Sequence, residues 1–259
     1  DPSYLHIPPL IMFSFFVKKH TEHPIDLSFI GVDMHSHLLP ALDDGIQRVE
    51  EAVAFMKKMH SFGYQKLVCT PHILNGVHNN SPQTILPALE KMQEELIKQD
   101  VPVRLEAAAE YMVDHEFEMM IERKDPLLIF GDHYILIEMS YVAVSPNIEK
   151  VIFQLKLEGL QPVVAHPERY NYYHHEFDRY VSLKNKGCLF QVNFLSLAGY
   201  YGTPVKQIAE KLMHYGIIDF IGTDMHHQNH LNALEKFASH KSARQMLQRY
   251  DFLNHTLLA

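Results

Sequence analysis

Seven short apolar runs in this chain each end on a polar side chain, and most of those side chains can bind a metal. The endings are Asp33-Met34-His35-Ser36-His37, His72, Glu110, Glu138, His166, Asn193 and Asp224-Met225-His226. All but Asn193 offer imidazole nitrogen or carboxylate oxygen, the donors that suit hard or borderline divalent cations. Donors delivered from the same end of successive strands describe the mouth of a β/α barrel, where active sites of that architecture lie. The chemistry expected of such a mouth is metal-assisted hydrolysis.

Each motif has a bland reading beside the functional one. His35 and His37 stand two apart, on one face of an extended segment, so both can reach one ion; alone, such a pair is as often a surface or capping feature. Of Asp43 and Asp44, ahead of Gly45, one can cap the following helix while the other approaches a metal. His72 ends Thr70-Pro71, and Glu110 follows three alanines that let the backbone approach a crowded centre. Glu138 closes Tyr-Ile-Leu-Ile-Glu, where a buried carboxylate is costly unless paired or ligated. Any one of these could be a satisfied core residue; their recurrence at successive strand ends argues against packing alone. So many donors exceed the needs of one ion, which predicts two or three metals sharing a bridging carboxylate. Arg169, three residues after His166, offers a planar fork suited to phosphate oxygens, against the alternative of a surface ion pair with Glu168. With it, phosphate ester hydrolysis leads over amide hydrolysis.

Strands are expected at 29–33, 66–70, 103–109, 134–138, 162–165, 189–193 and 219–223, short and nearly continuous in apolar character, as strands covered on both faces are. Between them lie amphipathic patterns. Ile46, Val49, Val53, Met56 and Met59 form one stripe; Ser81-Pro82 opens another that runs through Leu96. Further helices are expected at 113–122, 148–158, 176–185, 204–214 and 231–239, with Gly159, Gly187 and Gly216 as left-handed stops. This alternation predicts an α/β fold, a distorted (β/α)7 TIM-like barrel. An open doubly wound sheet that bound nucleotides would carry a glycine-rich turn after its first strand, and here that turn reads His-Ser-His-Leu-Leu-Pro.

Residues 1–27 read as an N-terminal extension and 28–259 as one domain. The apolar stretch from Ile7 to Val17 is shorter than a membrane span and lacks the flanks of a secretory signal, so cytoplasmic location, with at most peripheral membrane association, is expected; Met12 is a candidate translation start. The 259 residues suffice for one large domain, and 31 acidic against 23 basic residues argue against a nucleic-acid partner. Cys69 and Cys188 are too few for a disulfide framework and read as buried hydrophobes. Neither begins a Cys-x5-Arg phosphate loop, because Asn75 and Phe194 occupy the arginine positions.

Taken in order, DMHSHLLPALDDG, TPHILNG, AAEYM, YILIEMS, PVVAHPERY, FLSLAGYYG and GTDMHH resemble the polymerase-and-histidinol-phosphatase (PHP) superfamily. Within it they resemble the bacterial metal-dependent tyrosine-protein phosphatases of the CpsB/YwqE type, encoded with capsule and exopolysaccharide genes. The resemblance runs from about Val32 to the C-terminal region. It implies that His35, His37, Glu110 and Asp224 hold a first ion, that Glu110 bridges to a second held by Glu138 and His166, and that Asp44, His72 and His226 hold a third. It implies manganese, with iron or zinc possible, and Arg169 as the phosphate-binding arginine. The implied activity is hydrolysis of phosphotyrosine in protein by a metal-bound hydroxide, with the tyrosine-rich tail of a bacterial kinase as candidate partner. After Asp224-Met225-His226 this chain departs from several relatives and reads His-Gln-Asn-His; His227 or His230 is the candidate leaving-group acid. The alternatives are a small-molecule phosphatase of the histidinol-phosphatase type and a non-catalytic, metal-stabilised scaffold. An amidohydrolase would place a lysine where Glu138 stands.

Overall fold

A computed structural model describes residues 25–258. The apolar stretch from Ile7 to Val17 and Met12 therefore lie outside the described residues. The strand segments are β1 (Val32–Asp33), β2 (Lys66–Cys69), β3 (His72–Ile73), β4 (Arg104–Ala107), β5 (Glu110–Met112), β6 (Tyr134–Glu138), β7 (Gln161–Ala165), β8 (Leu189–Asn193) and β9 (Phe220–Gly222). Every pairing is parallel, in two ladders ordered β1-β2-β4 and β3-β5-β6-β7-β8-β9. β2 and β3 are two pieces of one passage, interrupted where Pro71 lacks a donor; β4 and β5 are two pieces of another. Hydrogen bonds from Ala108 N to Cys69 O (2.8 Å) and from Glu110 N to Pro71 O (3.2 Å) carry the pairing past the breaks. Seven strand passages result, the number expected from the sequence.

The seam between first and last strands is made differently. At the mouth, His37 N donates to Met225 O and Asp224 N donates to His35 O. Deeper, Thr223 donates through its backbone N and hydroxyl to the two oxygens of Asp33, at 2.9 and 2.5 Å. At the far end the Asn254 amide donates to Val32 O and Ile221 O and accepts from Ile221 N. Polar side chains thus stitch the edges that backbone ladders leave apart, which satisfies buried groups that would otherwise cost free energy.

Helices α1 (Val49–Ser61), α2 (Pro82–Lys98), α3 (His115–Arg123), α4 (Ile148–Leu157), α5 (Asp178–Asn185), α6 (Phe194–Leu197), α7 (Thr203–His214), α8 (Gln228–Ser239) and α9 (Lys241–Leu247) surround the strands. Alternation along each strand sorts two cores. Val32, Val68, Leu136, Val163, Ala165 and Phe220 point inward, with Phe130 and Leu257 in the same cluster. Leu67, Leu105, Ile135, Ile137, Val164, Val192 and Ile221 face outward into the larger cluster with the helices. The six outward-facing side chains other than Leu105 are at most 1% exposed, so each contributes roughly 1.5–3 kcal/mol of burial.

Boundaries differ from the sequence expectation where a local partner intervenes. The first strand begins at Val32 because Gly31 turns the chain at a φ of 71°. α1 begins at Val49, since the Ile46 N–H is engaged by His37 O. α3 begins after Asp114, whose side chain accepts from Phe117 N. α2 opens as expected, with Thr84 Oγ1 accepting from Ser81 N at 3.0 Å. Gly159, Gly187 and Gly216 all have positive φ, as their place after helices predicts. α6 and α9 were not anticipated, being too short to show a period. Among the described residues no helix is long and apolar enough to cross a membrane.

Candidate metal and phosphate site

The donors meet at the C-terminal ends of the strands because parallel strands all finish on one side. Two of the turns there are strained. His166 and Asp224 adopt positive φ, 32° and 51°, a region that costs a non-glycine residue on the order of 1–3 kcal/mol and clusters at functional sites. Each departs from its strand sharply enough to aim its side chain across the mouth.

Glu110 is the centre of the cluster. Its Oε2 lies 3.2 Å from His35 Nε2, 3.5 Å from His37 Nε2 and 3.1 Å from His72 Nδ1. Its Oε1 lies 3.0 Å from His166 Nε2. Asp224 Oδ1 completes the inner set at 3.5 Å from His35 Nε2 and 3.4 Å from His37 Nε2. Glu138 Oε1 stands 2.9 Å from His72 Nδ1. Nearer solvent, Asp44 Oδ1 is 3.6 Å from both His72 Nε2 and His226 Nε2. The structure thus brings together all nine expected donors, His35, His37, Asp44, His72, Glu110, Glu138, His166, Asp224 and His226. Their groupings place Glu138 with His72 and Glu110, and His166 with His35 and Asp224.

Two observations test whether these residues fit a cation. Donors held about 2.0–2.1 Å from a tetrahedral ion stand about 3.4 Å apart, which the inner separations match. His72 Nδ1 is buried 3.1 and 2.9 Å from the Glu110 and Glu138 carboxylates but outside hydrogen-bond geometry, an arrangement of three donors that a shared ion would satisfy. With nitrogen and carboxylate donors only, the set fits borderline divalent metals.

Without a cation the histidines must carry the charge. Burial opposes an imidazolium at His35, but the Glu110 and Asp224 carboxylates outweigh it and raise its pKa. Burial likewise opposes charge on His72, and chiefly Glu110 overcomes it to push the imidazole up to about 9. Burial would raise the Glu110 and Asp224 carboxyls; His35 first among their neighbours holds both well below the usual range. Asp44 is drawn down to about 2 mainly by its hydrogen bond with His226. The site demands positive charge, which is what a metal provides.

Arg169 lies on the short 3-10 turn Pro167–Arg169 and donates from NH1 to Asp224 Oδ2 at 2.8 Å. Its guanidinium is held between the rings of Tyr141 and Tyr201, 4.7 and 4.2 Å from their centroids. This cation–π sandwich fixes the fork's plane. Tyr141, Tyr201, Arg169 and metal donors line a cavity of about 220 Å³. His227 and His230 line it too. His227 is exposed, whereas His230 is buried with Nδ1 facing His226 N and Asp224 O; burial, and then His227, bring its pKa down to about 4.

Sequence reasoning missed the role of Asp43. Its Oδ2 accepts from His37 Nδ1 at 2.7 Å and from His72 N at 3.0 Å, while Oδ1 accepts from Gly45 N. It therefore orients a histidine and also makes the turn that it was expected to make. The two tyrosines were also missed; nothing in Ser-Tyr-Val or Gly-Tyr-Tyr marks them as partners of an arginine far along the chain. Cys69 and Cys188 are buried, and burial pushes both thiols up to about 12, so neither is a nucleophile.

Residues 31–250 match the family model for capsular polysaccharide synthesis, CpsB/CapC. The chain is 31% identical to the tyrosine-protein phosphatase YwqE of Bacillus subtilis over 195 residues, which is 75% of this chain and 77% of that protein. It is 24% identical to the tyrosine-protein phosphatase CpsB of Streptococcus agalactiae, covering 75% and 82% of the two chains. A structure solved in a study of the metal-dependent tyrosine phosphatases YwqE from Bacillus subtilis and CpsB from Streptococcus pneumoniae superposes with a TM-score of 0.73 at 29% identity, over 88% of this chain and 94% of that one. The lactonase Lmo2620 of Listeria monocytogenes, at 12% identity and a TM-score of 0.52 over 91% of this chain and 92% of that one, shares the fold alone. With its donors converged at the barrel mouth and 31–250 matched throughout, this chain belongs to the CpsB/CapC family of capsular polysaccharide synthesis.

Proposed function

We propose that this protein hydrolyses phosphotyrosine in protein, as a metal-dependent tyrosine phosphatase serving capsular or exopolysaccharide synthesis. The observation that carries the reading is Arg169, clamped between Tyr141 and Tyr201 beside the converged metal donors. A cation fork and a cation cluster on one cavity suit a phosphate monoester, whose charge must be held while a phosphorus–oxygen bond breaks. The tyrosine-phosphatase relatives support the aryl substrate.

When bound, a divalent metal (manganese in our reading, with iron or zinc as alternatives) supplies an activated water and positive charge against the phosphate oxygens. His35, His37, Glu110 and Asp224 would hold one ion, Glu110 would be shared with Glu138 and His166, and Asp44, His72 and His226 would hold the most exposed one. Arg169 binds the phosphate and gains charge-assisted bonds as negative charge spreads over its oxygens. Tyr141 and Tyr201 keep the guanidinium aimed at the cavity. A tyrosine leaving group, with a pKa of about 10, asks little of its proton donor. Of the two candidates, exposed His227 is better placed to protonate the leaving oxygen, because His230 Nδ1 already faces Asp224 O and His226 N. The substrate is a phosphotyrosine protein, with a kinase tail as the proposed partner, and the free, buried cysteines suit the cytoplasm.

The test is turnover of p-nitrophenyl phosphate and a phosphotyrosine peptide by metal-free protein supplied with manganese. Activity that appears with the metal is expected. Silence across manganese, iron, cobalt and zinc would sink the reading, and faster turnover of histidinol phosphate than of the peptide would move it to the small-molecule alternative.

A further inference from the structure

Gln191 and Asn193 carry no charge, yet both are fully buried among the ligands. They stand two apart on β8 and so share a face. Asn193 Nδ2 donates to Asp224 Oδ2 at 2.7 Å, the oxygen that also receives Arg169. Gln191 Nε2 donates to Asn193 Oδ1 at 2.9 Å. Gln191 Oε1 then faces His35 Nδ1 at 2.8 Å and His166 N at 3.3 Å. The Asn193 backbone N–H is itself anchored on Glu168 Oε1 at 2.8 Å.

The direction of every bond follows from one end. An ionised carboxylate only accepts, so Asp224 forces the amide nitrogen of Asn193 toward itself. The Asn193 oxygen must then face Gln191, which must present its nitrogen. That leaves the Gln191 oxygen for His35, whose Nδ1 must carry the proton. His35 Nε2, facing Glu110 Oε2 and Asp224 Oδ1 at 3.2 and 3.5 Å, is thereby the nitrogen that would offer its lone pair to a cation. A ligand's other nitrogen sets its metal-binding tautomer in this way.

We propose that Gln191 and Asn193 are positioning residues that fix the His35 tautomer and couple it, through Asp224, to the phosphate-binding Arg169. An aspartate in place of Asn193 would face the Asp224 carboxylate and a glutamate in place of Gln191 would face the Asn193 oxygen, whereas an amide both donates and accepts and adds no charge. The backbone leaves room for this arrangement: a Cβ at Gly222 would lie 2.8 Å from His35 Cβ and 2.9 Å from Gln191 Nε2. The inference rests on the metal-binding reading of the site and is independent of the substrate.

The experiment titrates metal-free protein with manganese by calorimetry and records the His35 imidazole ¹⁵N signals of the form loaded with diamagnetic zinc. Gln191→Leu is expected to bind manganese about 10- to 100-fold more weakly and to lose the single Nδ1–H tautomer. Gln191→Glu keeps an acceptor for His35 but loses the donor to Asn193. It is expected to recover metal affinity and the tautomer while kcat stays low, because the Asn193 amide turns its nitrogen toward the new carboxylate and Asp224, which holds Arg169, loses that donor. Should the leucine variant fail to fold, the glutamate variant carries the test through this split of affinity from kcat. Wild-type metal affinity and an unchanged His35 signal in Gln191→Leu, or full kcat in Gln191→Glu, would overturn the inference. A wild-type chain that takes up no manganese overturns the metal reading itself, and the inference with it.

Discussion

The inner and outer halves of the donor cluster are built from the same residue types but live in different dielectric worlds. His35, His37, Glu110 and Asp224 are at most 2% exposed, and three of these are 0% exposed. Asp44, by contrast, has a side chain 63% exposed, and its partners His72 and His226 are only partly buried. The inner ligands are locked by further hydrogen bonds, His37 by Asp43 and Asp224 by Asn193 and Arg169. The outer carboxylate has no such brace among its polar contacts with His72, His78 and His226. The lesson is that burial raises the stakes of each charge: inside, an unpaired carboxylate is intolerable and the ion is integral, whereas outside, water can stand in.

The largest expected effect comes from breaking the inner half at its centre. Glu110→Ala removes the carboxylate that faces four histidines, and activity on p-nitrophenyl phosphate should fall roughly 10³-fold or more, since metal chemistry supplies several kcal/mol. Metal analysis of the purified variant should show fewer ions bound. Next comes Arg169→Ala, which leaves the ligands in place; kcat should drop about 10²- to 10³-fold with metal content unchanged. A parallel loss of metal would mean that Arg169 holds Asp224 and does not bind phosphate.

The two neighbouring aspartates sharpen the contrast between inside and outside. Asp43→Asn, which weakens the brace on His37, should lower inner metal affinity about 10- to 100-fold. Asp44→Asn should remove only the most weakly held ion, seen as a lower stoichiometry at unchanged affinity for the rest. If the two variants titrate alike, the division into halves is wrong.

Proton linkage gives a smaller effect with opposite signs in the two forms. In metal-free protein the folded His72 titrates at about 9, above its ordinary 6.5. Its contribution to stability is therefore full below about pH 6.5 and disappears as pH rises through about 9. Metal affinity should rise over the same interval, because ligands bind deprotonated. Thermal melts at pH 6.5 and 9.5 should show a lower Tm at high pH for the chelated protein and none of that loss for the manganese-loaded one. The smallest effect belongs to the periphery. Lys58 and Glu235 pair at 2.7 Å with both side chains about 40% exposed or more, so Lys58→Ala should change unfolding free energy by less than about 1 kcal/mol.

The chain's own order already identified most of this molecule. Apolar runs mark strand passages because a parallel strand covered on both faces must be apolar, and each run stops where the backbone reaches the mouth. The polar residue at that stop is therefore visible without coordinates, as Glu138, His166 and Asp224 show, whereas Glu110 opens β5 after a break in its strand passage. Tertiary structure alone decided the rest. Which histidine ring Asp43 and Asp44 each reach depends on a turn anchored by the His37 carbonyl, and Tyr141 and Tyr201 find Arg169 from separate loops. Gln191 and Asn193 likewise acquire a direction only when Asp224 arrives from β9. Strand ends are dictated by burial, which is written locally; hydrogen-bond partners across the mouth are dictated by where distant strands end, which no local pattern contains.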